Sequence, residues 1–219
     1  TGTSILLAGI SGYELGVTLP ASLVVYAASS DGIKAVGGLQ ASVNAGPLAA
    51  ADLDADGDLD VFVGGQAEPG RYPAAARSVI YRQTDGRFSE DIENTRRLGN
   101  VGLANGAVWS DLDNDGDSDL ILACEWGPIR IFRNAEGLLA EATAELGLAQ
   151  LLGWWNGVAT GDFNEDGRMD IVASNWGRNT KYQEVIRDEL RLYHGDVDGN
   201  GTWEVIEAYW ERDMKKEVP

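Results

Sequence analysis

The stretch Asp111-Leu112-Asp113-Asn114-Asp115-Gly116-Asp117-Ser118-Asp119 carries an aspartate at every odd position and a glycine at the sixth. Five carboxylates this close repel one another unless a cation gathers them. A hard divalent ion takes about 6 to 8 oxygens, and glycine at position six lets the backbone turn sharply around it. In that geometry Asp111, Asp113, Asp115 and Asp119 supply side-chain oxygens and Asp117 its main-chain carbonyl. Calcium is the expected ion, because magnesium demands a tighter octahedron and keeps several of its waters.

The same loop recurs along the chain. Each copy follows a short apolar stretch opened by glycine, at Gly46-Pro47-Leu48-Ala49-Ala50-Ala51, Gly106-Ala107-Val108-Trp109-Ser110 and Gly157-Val158-Ala159-Thr160-Gly161. The first loop runs through Asp52, Asp54, Asp56, Asp58 and Asp60, and the third through Asp162, Asn164, Asp166, Arg168 and Asp170. Asp58 and Arg168 are the main-chain carbonyl positions of these two loops. Continuous apolar runs follow, Val61-Phe62-Val63, Leu120-Ile121-Leu122-Ala123 and Ile171-Val172-Ala173, as expected of strands inside a sheet.

A third strand recurs as Ser78-Val79-Ile80-Tyr81-Arg82, Ile129-Arg130-Ile131-Phe132-Arg133 and Leu190-Arg191-Leu192-Tyr193-His194. Turns at Asp85-Gly86 and Glu136-Gly137 lead to a fourth. Repeated four-stranded antiparallel units predict an all-β chain built as a β-propeller. The expected division is a partial blade at 1–45, blades at 46–104 and 105–155, and a blade with an insertion at 156–219. About four blades are then present, fewer than four of them complete, and an open arc would expose apolar blade faces. We therefore expect them to be part of a larger ring, completed by further sequence or by a second copy of the chain. Asn175 to Asp188 is read as the insertion, and Trp154-Trp155 as packing between blades in preference to a ligand platform.

The fourth acidic stretch, Asp196 to Glu207, meets the full twelve-residue EF-hand pattern with glutamate at its end. Its ligands would be Asp196, Asp198, Asn200, Thr202 through its carbonyl, and Glu204. Aligning Tyr193-His194 with Tyr81-Arg82 and Phe132-Arg133 favours a calcium-binding hairpin at a third-to-fourth-strand turn over a helix-loop-helix. Three loops are thus expected to hold calcium, with the fourth a further candidate.

The chain of 219 residues has 35 Asp and Glu against 17 Lys and Arg, a formal charge of -18. Because the acidic loops hold about half of those carboxylates, the charge reflects ion sites and not a disordered tail. It argues against nucleic acid, whose phosphates need a basic face. No stretch has the length of a membrane span. The one cysteine, Cys124, excludes an internal disulfide and reads as a buried inert thiol. Weak calcium loops suit the millimolar calcium outside the cytoplasm, so an extracellular, periplasmic or cell-surface location is expected.

These loops and their following apolar strands resemble the FG-GAP/VCBS-type repeats of calcium-binding β-propellers, the architecture of the integrin α-subunit head. Leu190-Arg191-Leu192-Tyr193 with Asp198-Gly199-Asn200-Gly201 also resembles bacterial members associated with ASPIC/UnbV modules. The resemblance implies a propeller, usually seven-bladed, that is exported and binds proteins or glycans.

The leading functional expectation is a non-catalytic, calcium-stabilised interaction module for an extracellular protein or glycan. One alternative is a carbohydrate-active enzyme, a lyase or hydrolase using an aspartate pair on the propeller. It is disfavoured because nearly every paired carboxylate is explained as a metal ligand, and no zinc motif, nucleophile elbow or phosphate loop is present. The other is an EF-hand-type calcium sensor acting through residues 196–207. His194, which stands where two sister strands carry arginine, is assigned no catalytic role.

Overall fold

The computed structural model describes residues 4–10, 23–39, 44–177, 190–211 and 213–219. Most of the expected insertion at Asn175 to Asp188 lies outside the described residues. Strands β1 (Ser4–Gly9), β2 (Leu23–Ser29) and β3 (Gly32–Leu39) form one antiparallel sheet in that order. The next sheet is β4 (Asn44–Ala51), β5 (Asp60–Ala67), β6 (Val79–Thr84) and β7 (Arg87–Glu90). A second four-stranded meander follows as β8 (Leu103–Ser110), β9 (Asp119–Glu125), β10 (Arg130–Ala135) and β11 (Leu138–Glu141). Strand β12 (Trp155–Gly161) pairs with β13 (Asp170–Asn175), and β14 (Arg191–Gly195), β15 (Glu204–Glu211) and β16 (Lys216–Val218) make a further sheet. The fold is all-β apart from one short helix, α1 (Ile92–Leu98), between β7 and β8.

The apolar runs Val61-Phe62-Val63 and Leu120-Ile121-Leu122-Ala123 are continuous because β5 and β9 are covered on both faces, whereas Val172 of β13 is exposed. Successive side chains on a strand point to opposite sides. Val61 and Val63 accordingly join Leu23, Val79 and Tyr81 in the core toward the first sheet, while Phe62 joins Ile80, Leu120, Leu122 and Phe132 on the other side. Ile121 and Ala123 turn from β9 toward Ile131 and, in the next sheet, Val158 and Ile171. Each middle sheet therefore lies between two neighbours, and each contact seals one core.

The glycines that open the first strands have a steric reason. A Cβ on Gly46 would lie 2.8 Å from the carbonyl oxygen of Ala104, and one on Gly106 would lie 2.9 Å from Cα of Gly157. The first strands of three successive sheets, β4, β8 and β12, pack side by side at these points. Only a residue without a side chain lets the backbones approach so closely.

Helix α1 was not among the expected elements. Asp91 caps it by accepting the Asn94 amide at 2.9 Å, Glu93 stands in the first turn, Arg96 and Arg97 in the last, and Gly99 stops it at φ 57°. Its Thr95 hydroxyl accepts the Ile80 amide at 3.1 Å, and Leu98 enters the core. The helix thus takes over the edge of β6 where β7 ends and packs toward β11 of the next sheet.

The close approach predicts that Gly106→Ala destabilises the protein by about 1 to 3 kcal/mol through overpacking. Gly37→Ala, where nothing lies within 4 Å, should stay within about 0.5 kcal/mol in the same urea titration.

Candidate metal centre

All four acidic stretches fold to one plan. In loop one (52–60) the Gly57 amide donates to Asp52 at 3.0 Å, the Asp58 amide to Asp56 at 2.8 Å and the Leu53 amide to Asp60 at 3.2 Å. Loop two (111–119) repeats these as Gly116 to Asp111, Asp117 to Asp115 and Leu112 to Asp119, at 3.0, 2.9 and 3.0 Å. Loop three (162–170) does so as Gly167 to Asp162, Arg168 to Asp166 and Phe163 to Asp170, at 2.8, 2.9 and 3.1 Å. In loop four (196–204) Gly201 donates to Asp196 at 2.9 Å, Thr202 to Asn200 at 2.7 Å and Val197 to Glu204 at 2.8 Å. Positions one and five wrap the chain inward, and position nine ties the second residue back.

Two residues per loop take the left-handed conformation. The sixth is the expected glycine, with φ of 92°, 99°, 85° and 89° in the four loops. The fourth escaped sequence reasoning: Ala55, Asn114, Glu165 and Gly199 have φ of 57°, 61°, 62° and 76°. Asparagine and glycine adopt this region readily, whereas alanine does so at a cost.

Loop four differs from its sequence reading in one respect. It does lie between strands, since β14 and β15 flank it, and Glu207 at the twelfth position sits within β15 opposite Leu192 while Glu204 closes the loop. Its flanking pair Gly195↔Glu204 matches Ala51↔Asp60, Ser110↔Asp119 and Gly161↔Asp170 of the other loops. Among the described residues β14 pairs with β15 and not with β13, so it corresponds to a first strand, not to the third strand inferred from Tyr193. The shared Tyr or Phe ending reflects strand alternation, which is weaker information than the bonding pattern of the loop. His194 stacks on Trp203 with ring centroids 5.0 Å apart, and the Trp203 amide donates to the Gly70 carbonyl at 2.8 Å.

Three groups bring carboxylate oxygens within 4.8 Å of one another, so that each could hold a metal ion: Asp52, Asp54 and Asp56; Asp111, Asp113 and Asp115; and Asp196, Asp198 and Glu204. Loop three has an amide at the third position, Asn164, whose oxygen accepts the Asp166 amide at 3.0 Å. Its odd positions thus offer a weaker charge than those of loop two. The seventh-position side chains are occupied elsewhere. Asp58 accepts the Asp85 amide at 3.1 Å and Asp117 the Glu136 amide at 2.8 Å, fastening each loop to the turn after the third strand of its own sheet. That arrangement leaves the seventh-position carbonyl as the group available to an ion.

The ninth-position aspartates of the two full sheets are buried, Asp60 1% and Asp119 0% exposed. Burial raises the pKa of both above the ordinary carboxylate value, although backbone amides from Leu53 and Gln83, or from Leu112 and Asn134, act to lower it. For Asp119 the nearby charges of Asp113 and Asp115 push the same way as burial. Asp60 has a built-in counter-charge in Arg82, which contacts Asp60 at 2.8 Å, Asp54 at 3.1 Å and Asp91 at 2.9 Å. The equivalent Arg133 only approaches Asp113, at 3.5 Å. Sequence reasoning missed this role of arginine, though the pairing Tyr81-Arg82 and Phe132-Arg133 was in view. Cys124 is fully buried in the core, its thiol pushed up to about 12 by burial, and is chemically inert.

The sequence pattern described as FG-GAP-like repeat matches residues 52–122 and again 111–173, together more than half of the chain. Cartilage acidic protein 1 of Xenopus tropicalis is 36% identical over 64 residues, which are 29% of this chain and 10% of that protein. The chain is therefore matched to only a small part of that relative's length.

The left-handed fourth position carries a test that needs no metal. Ala55→Gly should raise stability by about 1 kcal/mol in chelator, read by urea unfolding, because glycine relieves the Cβ strain at φ 57°.

Proposed function

This chain belongs to the FG-GAP-like repeat family, and from that premise we propose that it is a non-catalytic interaction module whose acidic loops are ordered by calcium. Its sheets act as blades of a β-propeller. The observation that carries the reading is the single hydrogen-bonding plan of four loops, each directing several oxygens and no soft donor inward. The side-by-side packing of β4, β8 and β12 supports the propeller, because inner strands of neighbouring blades meet around an axis.

In this reading the units are 1–45, 46–104, 105–155 and 156–219, the last carrying two sheets among its described residues. The ligands are Asp52, Asp54, Asp56, the Asp58 carbonyl and Asp60; Asp111, Asp113, Asp115, the Asp117 carbonyl and Asp119; Asp162, Asn164, Asp166, the Arg168 carbonyl and Asp170; and Asp196, Asp198, Asn200, the Thr202 carbonyl and Glu204. Loop two is the strongest site. Asp119 spends two of its lone pairs on amides, whereas Asp60 spends two on amides and a third on the Arg82 guanidinium. The carboxylates of the four loops build and charge those loops, which supports a structural role for them over acid-base chemistry. Millimolar calcium outside the cytoplasm suits such sites, and the partner is an extracellular protein or glycan. Among the described residues no helix is long and apolar enough to cross a membrane.

Calcium should raise the melting temperature, each site contributing about 2.7 kcal/mol when calcium stands a hundredfold above its dissociation constant. A melting curve indifferent to chelator would sink the reading. The effect should also depend on pH in a set direction. Since the folded, metal-free state holds a proton on Asp119 more tightly than an unfolded chain does, lowering the pH through that raised pKa stabilises the metal-free form at this residue and sets protons against calcium. The melting difference between calcium and chelator should therefore shrink as pH falls from 7 toward 5. Asp115→Ala should cost more calcium affinity than Asp166→Ala in titration, because loop two holds the greater charge.

A further inference from the structure

The acidic loops join first to second strands, so they lie at one end of their sheets. At the other end three connections bring tryptophans together. Trp126 follows β9, Trp154 precedes β12 and Trp176 follows β13. The Trp126 and Trp154 ring centroids are 4.9 Å apart, those of Trp154 and Trp176 are 4.5 Å apart, and both pairs are tilted by 57°. Backbone bonds hold the row in place. Gly127 and Gly153 form a two-way bridge with bonds of 3.2 and 3.0 Å, and the Trp176 amide donates to the Trp154 carbonyl at 3.0 Å.

Packing alone does not account for this row. Trp176 remains 40% exposed, and Trp126 and Trp154 are only partly buried. Trp126 sits at φ 56°, a conformation that a bulky side chain rarely takes without being held there. The far end of the row is polar. The Trp126 indole N–H donates to the Tyr72 hydroxyl at 2.7 Å, and that hydroxyl donates to the Glu125 carboxylate. The Asn105 amide lies 3.5 Å from the other Glu125 oxygen and donates to the Trp155 carbonyl at 3.1 Å. An open aromatic face thus stands at one end and an oriented carboxylate with an amide at the other.

We propose that this row binds an oligosaccharide, with one pyranose stacked on Trp176 and a later unit hydrogen-bonded through its hydroxyls to Glu125 and Asn105. The inference rests on the interaction-module reading and names the partner class. Two observations favour a sugar chain over a cationic side chain. The rings touch one another, which leaves no cage between them for an ammonium or guanidinium head. The open ring and the carboxylate also stand at opposite ends of a three-ring row, a span that suits several linked sugar rings and exceeds one charged head. An apolar face with a few convergent polar groups is the common form of a small-ligand site.

The test uses the full chain in calcium, with pentasaccharides of glucose, N-acetylglucosamine, xylose and mannose as probes, read by tryptophan emission and calorimetry. At least one should bind saturably with a blue shift. Trp176→Ala should weaken that binding by about tenfold or more with an unchanged melting temperature, and Trp176→Tyr should restore most of it. Glu125→Gln should weaken it several-fold. The proposal fails if no pentasaccharide binds the folded, calcium-loaded chain, or if Trp176→Ala binds as tightly as the parent. It also fails if an arginine-rich decapeptide binds in their place and is lost with Glu125→Gln. A melting curve in chelator on the same sample separates this failure from that of the calcium reading: sugar binding by a chain indifferent to chelator would overturn only the latter.

Discussion

The ninth carboxylate of loops one and two ties an exposed turn to the sheet beneath it. Asp119 is fully buried, accepts the Leu112 amide at 3.0 Å from its own loop, and accepts the Asn134 amide at 2.9 Å from the third strand. Asp60 does the same with Leu53 at 3.2 Å and Gln83 at 2.9 Å. One side chain therefore sets the loop, the register of the hairpin it closes and the attachment of the next strand. Burial makes its negative charge costly, and the compensation differs between copies. The β4–β7 sheet supplies Arg82 from within, while the β8–β11 sheet leaves Asp119 among other aspartates. A charge so placed is satisfied by a cation or by a proton.

Arg82 extends that logic beyond a single sheet. Its guanidinium reaches Asp54, Asp60 and the helix cap Asp91, and donates to the Gly137 carbonyl at 2.6 Å in the turn between β10 and β11. Burial works against its charge, yet the surrounding carboxylates outweigh it and raise its pKa. Asp91 shows the converse balance, because burial would raise its pKa while the Asn94 amide and Arg82 bring it below the ordinary value. Its contribution to stability is thus present above the unfolded pKa and is lost as pH falls through the lower folded one.

What could be read from the sequence was whatever the backbone writes in a short window. The acidic loops, their sixth glycines and the apolar runs at Val61, Leu120 and Ile171 name their own conformations. The glycines at 46 and 106 were visible as part of a pattern, but their cause was not, because it lies in strands about 50 residues away. Helix α1 could have been found, since Asp91, Glu93, Arg96, Arg97 and Gly99 are the residue types of a capped helix. It was hidden by its brevity next to a fourth strand. The register error at Tyr193 arose because alternation on a strand repeats every two residues and aligns too easily. Arg82 and the tryptophan row were out of reach for a different reason. Their meaning depends on which connections meet at one end of the sheets, and that is a property of topology alone.

The turn at Gly137 rests on loop one of the preceding sheet, where a Cβ on that glycine would meet Asp54 Cβ at 3.0 Å. Asn114 of loop two donates to the Gly167 carbonyl of loop three at 3.3 Å. The two four-stranded sheets and the β12–β13 pair are thereby latched in series at the acidic end, so order among these three is a nearest-neighbour quantity and not a sum over independent hairpins. A unit braced on both sides melts only when a neighbour does, and a unit braced on one side frays first. The protein therefore stiffens like a zip, from its paired middle sheets outward.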